Sequence, residues 1–353
     1  MAERRVCIIR RNYRSDGGAE VATSNYIEAL SKFSQLTLAC ESWEDSKSTI
    51  RIEKLESEGR TRASRYKRFI NTASNFVENF EGISHSHELV PGSQVLRLGD
   101  GVHHSWLKAA GWSWKALLDP FHRYKTSLEK QVLQDERLKY VIVNSNFVGR
   151  DVETKFGIEP SRLRLIRNIV RREFKETPIN RSTGPGRRMV FVGSGWYRKG
   201  LHHAIRVLRS LPNEITLDIF GIDRSISRYE RLVASLGLQA RVFFRGMKTI
   251  EPQDLDQFDL MVHPAIYEPF PNVAIEALSR GLAVVSSFQS GTSDFDKAVG
   301  VATCEISDES LVEGIRWAID SSPKDRLNFR DHIVQFDQNY LIRSVESLYG
   351  SLR

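Results

Sequence analysis

Glu268 and Glu276 are the two side chains whose placement could do chemistry. They stand in the stretch His263-Pro-Ala-Ile-Tyr-Glu-Pro-Phe-Pro-Asn-Val-Ala-Ile-Glu276. The apolar run Leu260-Met-Val ahead of them reads as a buried strand. The prolines between Pro264 and Pro271 demand a loop, and Asn272 begins a helical pattern that ends at Gly281. Glu268 is therefore expected in a loop beyond a strand's carboxyl end, and Glu276 about one turn into the following helix. Backbone N–H groups at that helix start make a natural seat for a phosphate. Carboxylates suit sugar hydroxyls and the amides suit a diphosphate, so a nucleotide sugar offers both parts. The plainer alternative is a surface loop with one glutamate and an exposed helix with another.

A second stretch, Gly193-Ser-Gly-Trp-Tyr-Arg-Lys-Gly200, follows an expected strand at Met189–Val192. Its glycines, Gly195 among them, let the backbone turn tightly. Arg198 and Lys199 then stand ahead of a helix, where a guanidinium beside an ammonium suits two phosphates. A plain turn with solvated basic residues is the alternative. Asp16-Gly17-Gly18-Ala19 closes the first strand-to-helix loop, and Gly17 and Gly18 permit close approach of a ligand. Asp100 is expected just past the strand Val95–Leu98, where it could orient an acceptor hydroxyl or merely cap a turn. His103 and His104 are adjacent, so at most one can face a ligand on that acceptor side. His85 and His87 read as structural. No histidine or cysteine spacing fits a metal, and none is expected.

The spacing of Glu268 and Glu276, with seven residues between them and Phe270 two after the first, resembles the signature of retaining glycosyltransferases of the GT-B fold, family 4 type. The Arg198-Lys199 loop and the segment Val90-Pro-Gly-Ser-Gln-Val-Leu-Arg-Leu-Gly-Asp100 are similar to those of the lipopolysaccharide-core glucosyltransferases within it. The resemblance implies an α/β chain of two Rossmann-like, doubly wound parallel-sheet domains facing across a cleft. It implies that Arg198 and Lys199 contact the donor pyrophosphate, that Glu276 binds the ribose and that Glu268 lies against the donor sugar. Asn272 and Val273 would offer backbone N–H groups to the phosphate, and Gly17 and Gly18 would face it from the other domain. Glu268, Asp100, Arg198 and Lys199 form the expected catalytic set. Arg245-Gly-Met247 is the candidate segment for the base. Pro271 departs from the pattern, standing where the family commonly has glycine. The implied activity is transfer of a hexose from a nucleotide-diphosphate sugar, UDP-linked, to lipopolysaccharide core or another lipid-linked glycan, without cofactor or metal.

These residues need two scaffolds. Strand patterns at Val6–Ile9, Leu36–Ala39, Val95–Leu98, Tyr140–Val143 and Leu163–Ile166 alternate with helical ones. The pattern restarts at Met189–Val192 and continues through Ile215–Phe220, Val242–Phe244, Leu260–Val262 and Ala283–Ser286. The expected domains are 1–170 and 186–337, joined by a linker over Asn168–Arg187. The amphipathic last helix, in 338–353, is expected to pack back on the first domain.

At 353 residues, with 41% hydrophobic and 27% charged residues, the chain has the composition of globular domains. Its three cysteines are far apart and read as reduced thiols of a cytoplasmic protein. A net charge of +7 favours an anionic partner. A basic nucleic-acid-binding protein is one alternative, but no nucleic-acid motif is present and no such partner is expected. A nucleotide-sugar epimerase of the same fold is another. Trp106, Trp112 and Trp114, interleaved with Lys108, Lys115, Arg123 and Lys125, suit an anionic membrane surface or packing in the first core. A basic run from Arg60 to Arg68 suits the same surface or a solvated helix face. The resulting expectation is a protein on the cytoplasmic face of the inner membrane, attached peripherally.

Overall fold

The computed structural model describes residues 4–13, 18–43, 50–180 and 188–352. Gly17 lies outside the described residues, and Gly18 opens a helix. The chain forms two compact units, Met1–Ile169 with Gln338–Arg353, and Val170–Asp337.

In the first unit the strands are β1 (Arg4–Ile9), β2 (Asn12–Tyr13), β3 (Ser34–Cys40), β4 (Ser42–Trp43), β5 (Arg51–Lys54), β6 (Ile83–Ser86), β7 (Val95–Arg97), β8 (Tyr140–Val143) and β9 (Leu163–Leu165). β2 and β4 pair by themselves, and the others make one parallel sheet in the order β5-β3-β1-β6-β7-β8-β9. Val6–Ile9 is buried throughout, as a near-continuous apolar run at the centre of a parallel sheet must be. Two strands carry no such run. β5 is a largely exposed edge, while β6 is central despite the sequence Ile83-Ser-His-Ser86. Its polar side chains are held by partners: His85 Nδ1 lies 2.7 Å from the Tyr349 hydroxyl, and Ser86 Oγ donates to the Glu88 carbonyl at 2.7 Å.

The helices are α1 (Gly18–Leu30), α2 (Arg62–Glu78), α3 (His103–Ala109), α4 (Ser113–Leu118), α5 (Pro120–Leu133) and α6 (Asn146–Phe156). On α2, a capping box between Thr61 and Ser64 starts the helix, and Tyr66, Phe69, Ile70, Ala73 and Val77 face the core. Arg62, Arg65, Lys67 and Arg68 consequently form its solvated face.

The second unit comprises α7 (Arg172–Glu176), β10 (Arg188–Val192), α8 (Leu201–Arg206), β11 (Thr216–Phe220), α9 (Ile226–Ser235), β12 (Val242–Gly246), α10 (Pro252–Leu255), β13 (Leu260–His263), α11 (Asn272–Ser279), β14 (Ala283–Ser287), β15 (Val301–Cys304), α12 (Asp308–Asp320) and α13 (Pro323–Ile333). Its sheet is parallel, in the order β12-β11-β10-β13-β14-β15. Strand order reverses between β10 and β13, as it does between β1 and β6 in the first unit. At such a point the loops leaving the two strands run to opposite sides, and open α/β sheets take their ligands there. Both halves are thus doubly wound Rossmann-like units.

The final helix α14 (Gln338–Gly350) belongs to the first unit. Leu341, Val345, Leu348 and Tyr349 enter a core shared with Val6, Ile8 and Leu38. Residues 170–180 of the stretch expected to be a linker belong instead to the second unit. Val170 and Phe174 are buried in its core, and the buried Arg280 donates to the carbonyls of Thr177 (2.5 Å) and Pro178 (2.9 Å). The same guanidinium grips Asp256 through two bonds of 2.8 and 2.6 Å, so the charge is paired where water cannot reach it.

Candidate functional site

The loops leaving β10 and β13 meet at the switch point of the second sheet. The indole of Trp196 anchors the first loop. It is fully buried, its Nε1 donates to the Gly193 carbonyl at 3.0 Å, and its backbone N–H donates to Asp223 at 2.9 Å. Gly200, at φ 76°, is irreplaceable on two counts: the backbone is left-handed, and a Cβ there would stand 1.8 Å from the Pro264 carbonyl oxygen. Close contact of the two loops aligns their backbones, with Ile266 N–H donating to the Arg198 carbonyl at 2.8 Å. The Glu268 N–H and C=O are in turn pinned to Gln289 (3.0 Å) and Gly291 (2.8 Å).

This frame brings three of the expected residues together. Arg198 Nη1 and Lys199 Nζ each donate to Glu268 Oε2 at 2.8 Å, and Nη1 also reaches the Tyr267 carbonyl at 2.8 Å. Glu268 is only 8% exposed. Burial by itself would raise its pKa, but Lys199 and Arg198 outweigh it together and hold the carboxyl at about 2. His263, at the end of β13, is fully buried with Nε2 3.4 Å from Lys199 Nζ. Burial first and Lys199 second push it down to about 3, so it is neutral near pH 7. Two cations against one carboxylate leave a net positive charge, and the Arg198 Nη2 edge has no hydrogen-bond acceptor among the described residues. The chemistry of this arrangement suits an anion.

On α11, Asn272 and Val273 form the first turn, and the cap residue Pro271 has no side chain that can accept from their N–H groups. Glu276 is 5% exposed and accepts from Arg171 Nε at 2.7 Å through Oε1. Burial raises its pKa more than Arg171 lowers it. Arg171 also donates to Glu173 (3.0 Å) and to the Ile250 carbonyl (2.9 Å). Sequence reasoning missed Arg171, Trp196 and His263. Arg171 falls in the supposed linker, and nothing in its local sequence points at Glu276. Gly195 has a left-handed φ of 73° with open space beside it. Arg245 lies on β12 with its guanidinium taken up by Asp218 (2.5 Å).

In the first unit, Asp100 projects past β7 with a side chain 65% exposed, 3.9 Å from Arg10. It does not cap α3. That task falls to buried Glu129, which accepts from the N–H groups of His103 (2.7 Å) and His104 (3.4 Å). His103 clusters with the Trp106 and His122 rings at 5.6 and 5.2 Å, and its Nε2 lies 3.1 Å from His122 Nδ1. Burial and then Lys125 push it down to about 3, which makes it a neutral packing residue. His104 is exposed and lines a cavity of about 590 Å³ with Leu107, Leu117, Phe156 and Lys130. His85 and His87 are buried neutral rings, against Tyr349 and Thr23 respectively.

Burial raises Glu129 to about 7 against the pull of the two amides. A folded-state pKa above the ordinary 4.5 stabilises the fold below that pH, and the contribution is lost as pH rises through 7. Over that window it amounts to about 3 kcal/mol. Glu129→Gln keeps an acceptor for the amides and removes the charge. The variant is expected to be more stable than the parent at pH 8, with the difference shrinking toward pH 4. Urea unfolding at both pH values checks this, and an equal difference at the two would contradict it.

Of the tryptophans, Trp106 is half-buried and stands edge-on to Trp112 at 5.4 Å. Trp112, Trp114, Leu117 and Leu118 are exposed, the last at 75%, on and just before α4. Among the described residues, no helix is long and apolar enough to cross a membrane, and no group of three potential metal ligands comes together.

A family model described as glycosyl transferases group 1 matches residues 173–334, and one described as glycosyltransferase family 4 matches residues 16–174. The chain is 31% identical over 142 residues to the lipopolysaccharide glucosyltransferase WaaG of Escherichia coli K12, a stretch covering 38% of each chain. It is 29% identical over 215 residues to the glycosyltransferase YqgM of Bacillus subtilis 168, covering 58% of this chain and 56% of that one. These alignments thus span well under two thirds of either relative. Among solved structures, the crystal structure of WaaG superposes with a TM-score of 0.79 at 20% identity, covering 97% of this chain and 99% of that one. Anabaena HepE, solved with UDP and glucose, gives 0.74 at 16% identity, covering 99% and 100%. At these identities the structural likeness speaks for the fold. With the two family models meeting end to end over residues 16–334, the chain belongs to the group 1, family 4 glycosyltransferases, and its fold is GT-B.

Proposed function

We propose that this chain is a retaining hexosyltransferase that uses a nucleotide-diphosphate sugar, UDP-linked, and a glycan acceptor carried on a lipid. The observation that carries the reading is the convergence of Arg198 and Lys199 on Glu268 at the switch point of the second sheet. In this reading Arg198 and Lys199 hold the diphosphate, aided by the N–H groups at Asn272 and Val273. Glu276 offers Oε2 to the ribose while Arg171 holds Oε1, and Glu268 orders the cations and meets the sugar. The bond from the anomeric carbon to the diphosphate oxygen breaks as the acceptor oxygen bonds to the same face. The acceptor proton passes to the leaving diphosphate, so positioning and charge stabilisation suffice and no metal is needed. Asp100 is assigned to the acceptor side. WaaG, a lipopolysaccharide glucosyltransferase, and HepE, solved with UDP and glucose, support the class of donor and acceptor.

The division of roles between the carboxylates has a direct test. Glu276→Ala is expected to weaken binding of free UDP by tenfold or more, while Glu268→Ala spares most of that affinity and depresses transfer. Titration calorimetry and a transfer assay read the two effects, and equal loss of UDP affinity in both variants would reject the division.

Attachment to an anionic bilayer would bring the enzyme to a lipid-linked acceptor. The exposed Trp112, Trp114, Leu117 and Leu118 supply an apolar face, and Arg123 and the basic face of α2 supply charge. Each basic residue near such a surface contributes on the order of 1 kcal/mol, screened within a Debye length. Co-sedimentation with anionic liposomes is expected at low salt and is expected to fall as salt rises. Absence of binding to any vesicle at low salt would favour an acceptor in solution.

A further inference from the structure

The second unit carries a cationic pocket that the donor reading does not use. Tyr197 from the loop before α8, and His202 and Arg206 from its start and end, line a cavity of about 360 Å³ with Arg228 and Arg231 of α9. The Tyr197 and His202 rings stack at 5.5 Å with only 9° between their planes, forming one wall. Among the described residues, no carboxylate lies within ion-pair distance of Arg206, Arg228 or Arg231. Glu230, the acidic neighbour on α9, makes no ion pair there, and Asp308 acts on His203. Arg228 and Arg231 are moreover three residues apart on one helix, a like-charge spacing that costs helix stability unless an anion relieves it. Burial, then His203, Arg206 and Arg228, depress His202 to about 4, so the ring adds no charge but registers the positive field.

We propose that this pocket is a second anion site, taking a ligand with a multiply charged phosphate group. Three guanidiniums on two helices match several phosphate oxygens at once, through paired hydrogen bonds that a scatter of surface cations does not offer. A free polyphosphate and a phosphorylated sugar both present that chemistry. The site stands apart from the proposed donor site in its residues. Tyr197 alone adjoins that site in sequence, next to Arg198.

The test is titration calorimetry of the full chain at low salt, with inorganic pyrophosphate and with glucose 6-phosphate as separate probes. The unsubstituted protein is expected to bind pyrophosphate. Arg206→Ala combined with Arg228→Ala and Arg231→Ala is expected to raise the Kd of one site by tenfold or more. All three side chains are exposed, so circular dichroism and the melting temperature are expected to stay as in the parent. Arg198→Ala is expected to leave this site's affinity unchanged, which separates it from the donor site. Glucose 6-phosphate binding that is lost in the triple variant identifies a sugar phosphate as a ligand, and pyrophosphate binding alone identifies a polyphosphate. A triple variant that binds both probes with the parent's stoichiometry and affinity overturns the proposal.

Discussion

Lys199→Ala is expected to lower transfer by tenfold or more and to make the protein more sensitive to acid. Losing one charge-assisted contact to a diphosphate costs about 1.5–3 kcal/mol. The substitution also leaves Glu268, 8% exposed, with Arg198 as its one remaining charged partner among the described residues, His263 at 3.8 Å being neutral. Glu268 is held at about 2, below its ordinary 4.5, so its contribution is present above pH 4.5 and is lost as pH falls toward 2. That contribution is about 3 kcal/mol with both cations in place. In Lys199→Ala the loss begins at higher pH, because less opposes the burial of the carboxylate. Lys199→Arg is not expected to rescue, since the lysine stem runs against Gly193, where a Cβ would meet Lys199 Cε at 2.8 Å. Arg198→Ala is expected to act in the same direction. The checks are kcat/KM with a nucleotide sugar and thermal melts from pH 3 to 7. Unchanged turnover in both alanine variants would remove these residues from the donor site.

Arg171→Ala is expected to weaken both the fold and nucleotide affinity. Glu276 is buried at 2.7 Å from Arg171 Nε, and removing one partner of a buried pair typically costs about 3–5 kcal/mol. Burial already raises the Glu276 pKa, and without Arg171 nothing of comparable strength opposes it. Protonation would relieve the buried charge but would leave the ribose a poorer acceptor. Arg171→Lys is expected to recover little, because one guanidinium serves Glu276, Glu173 and the Ile250 carbonyl together. Arg171→Ala combined with Glu276→Gln is expected to regain stability without regaining affinity for UDP. Melting temperature and UDP titration separate the two effects, and a double variant no more stable than Arg171→Ala would contradict the charge argument.

Some of this was legible along the chain and some was not, for physical reasons. Strands with unbroken apolar runs, such as Val6–Ile9 and Leu260–Val262, announce themselves because central parallel strands are buried on both faces. β6 does not, because its buried polar groups are satisfied by residues as distant as Tyr349. β5, an edge of charged residues, carries no apolar signal either. Glu268, Arg198 and Lys199 could be picked out because each sits where a strand gives way to a loop, and the switch point brings two such loops together. Arg171 could not, since its partner is 105 residues away and its own neighbours read as linker. His103 looked like an acceptor-side candidate because sequence does not reveal that it is buried against Trp106 and His122.

In the proposed reaction the second unit holds a nucleotide sugar by its diphosphate, and the nucleoside diphosphate is the leaving group. The most direct measurement incubates the purified chain with a panel of nucleotide sugars and follows release of the nucleoside diphosphate, with EDTA present, beside the Lys199→Ala variant. Release from at least one UDP-sugar is expected, undiminished by EDTA and reduced tenfold or more in the variant. Release that is equal in the variant, or none from any nucleotide sugar under conditions where the protein is folded, would contradict the proposed reaction.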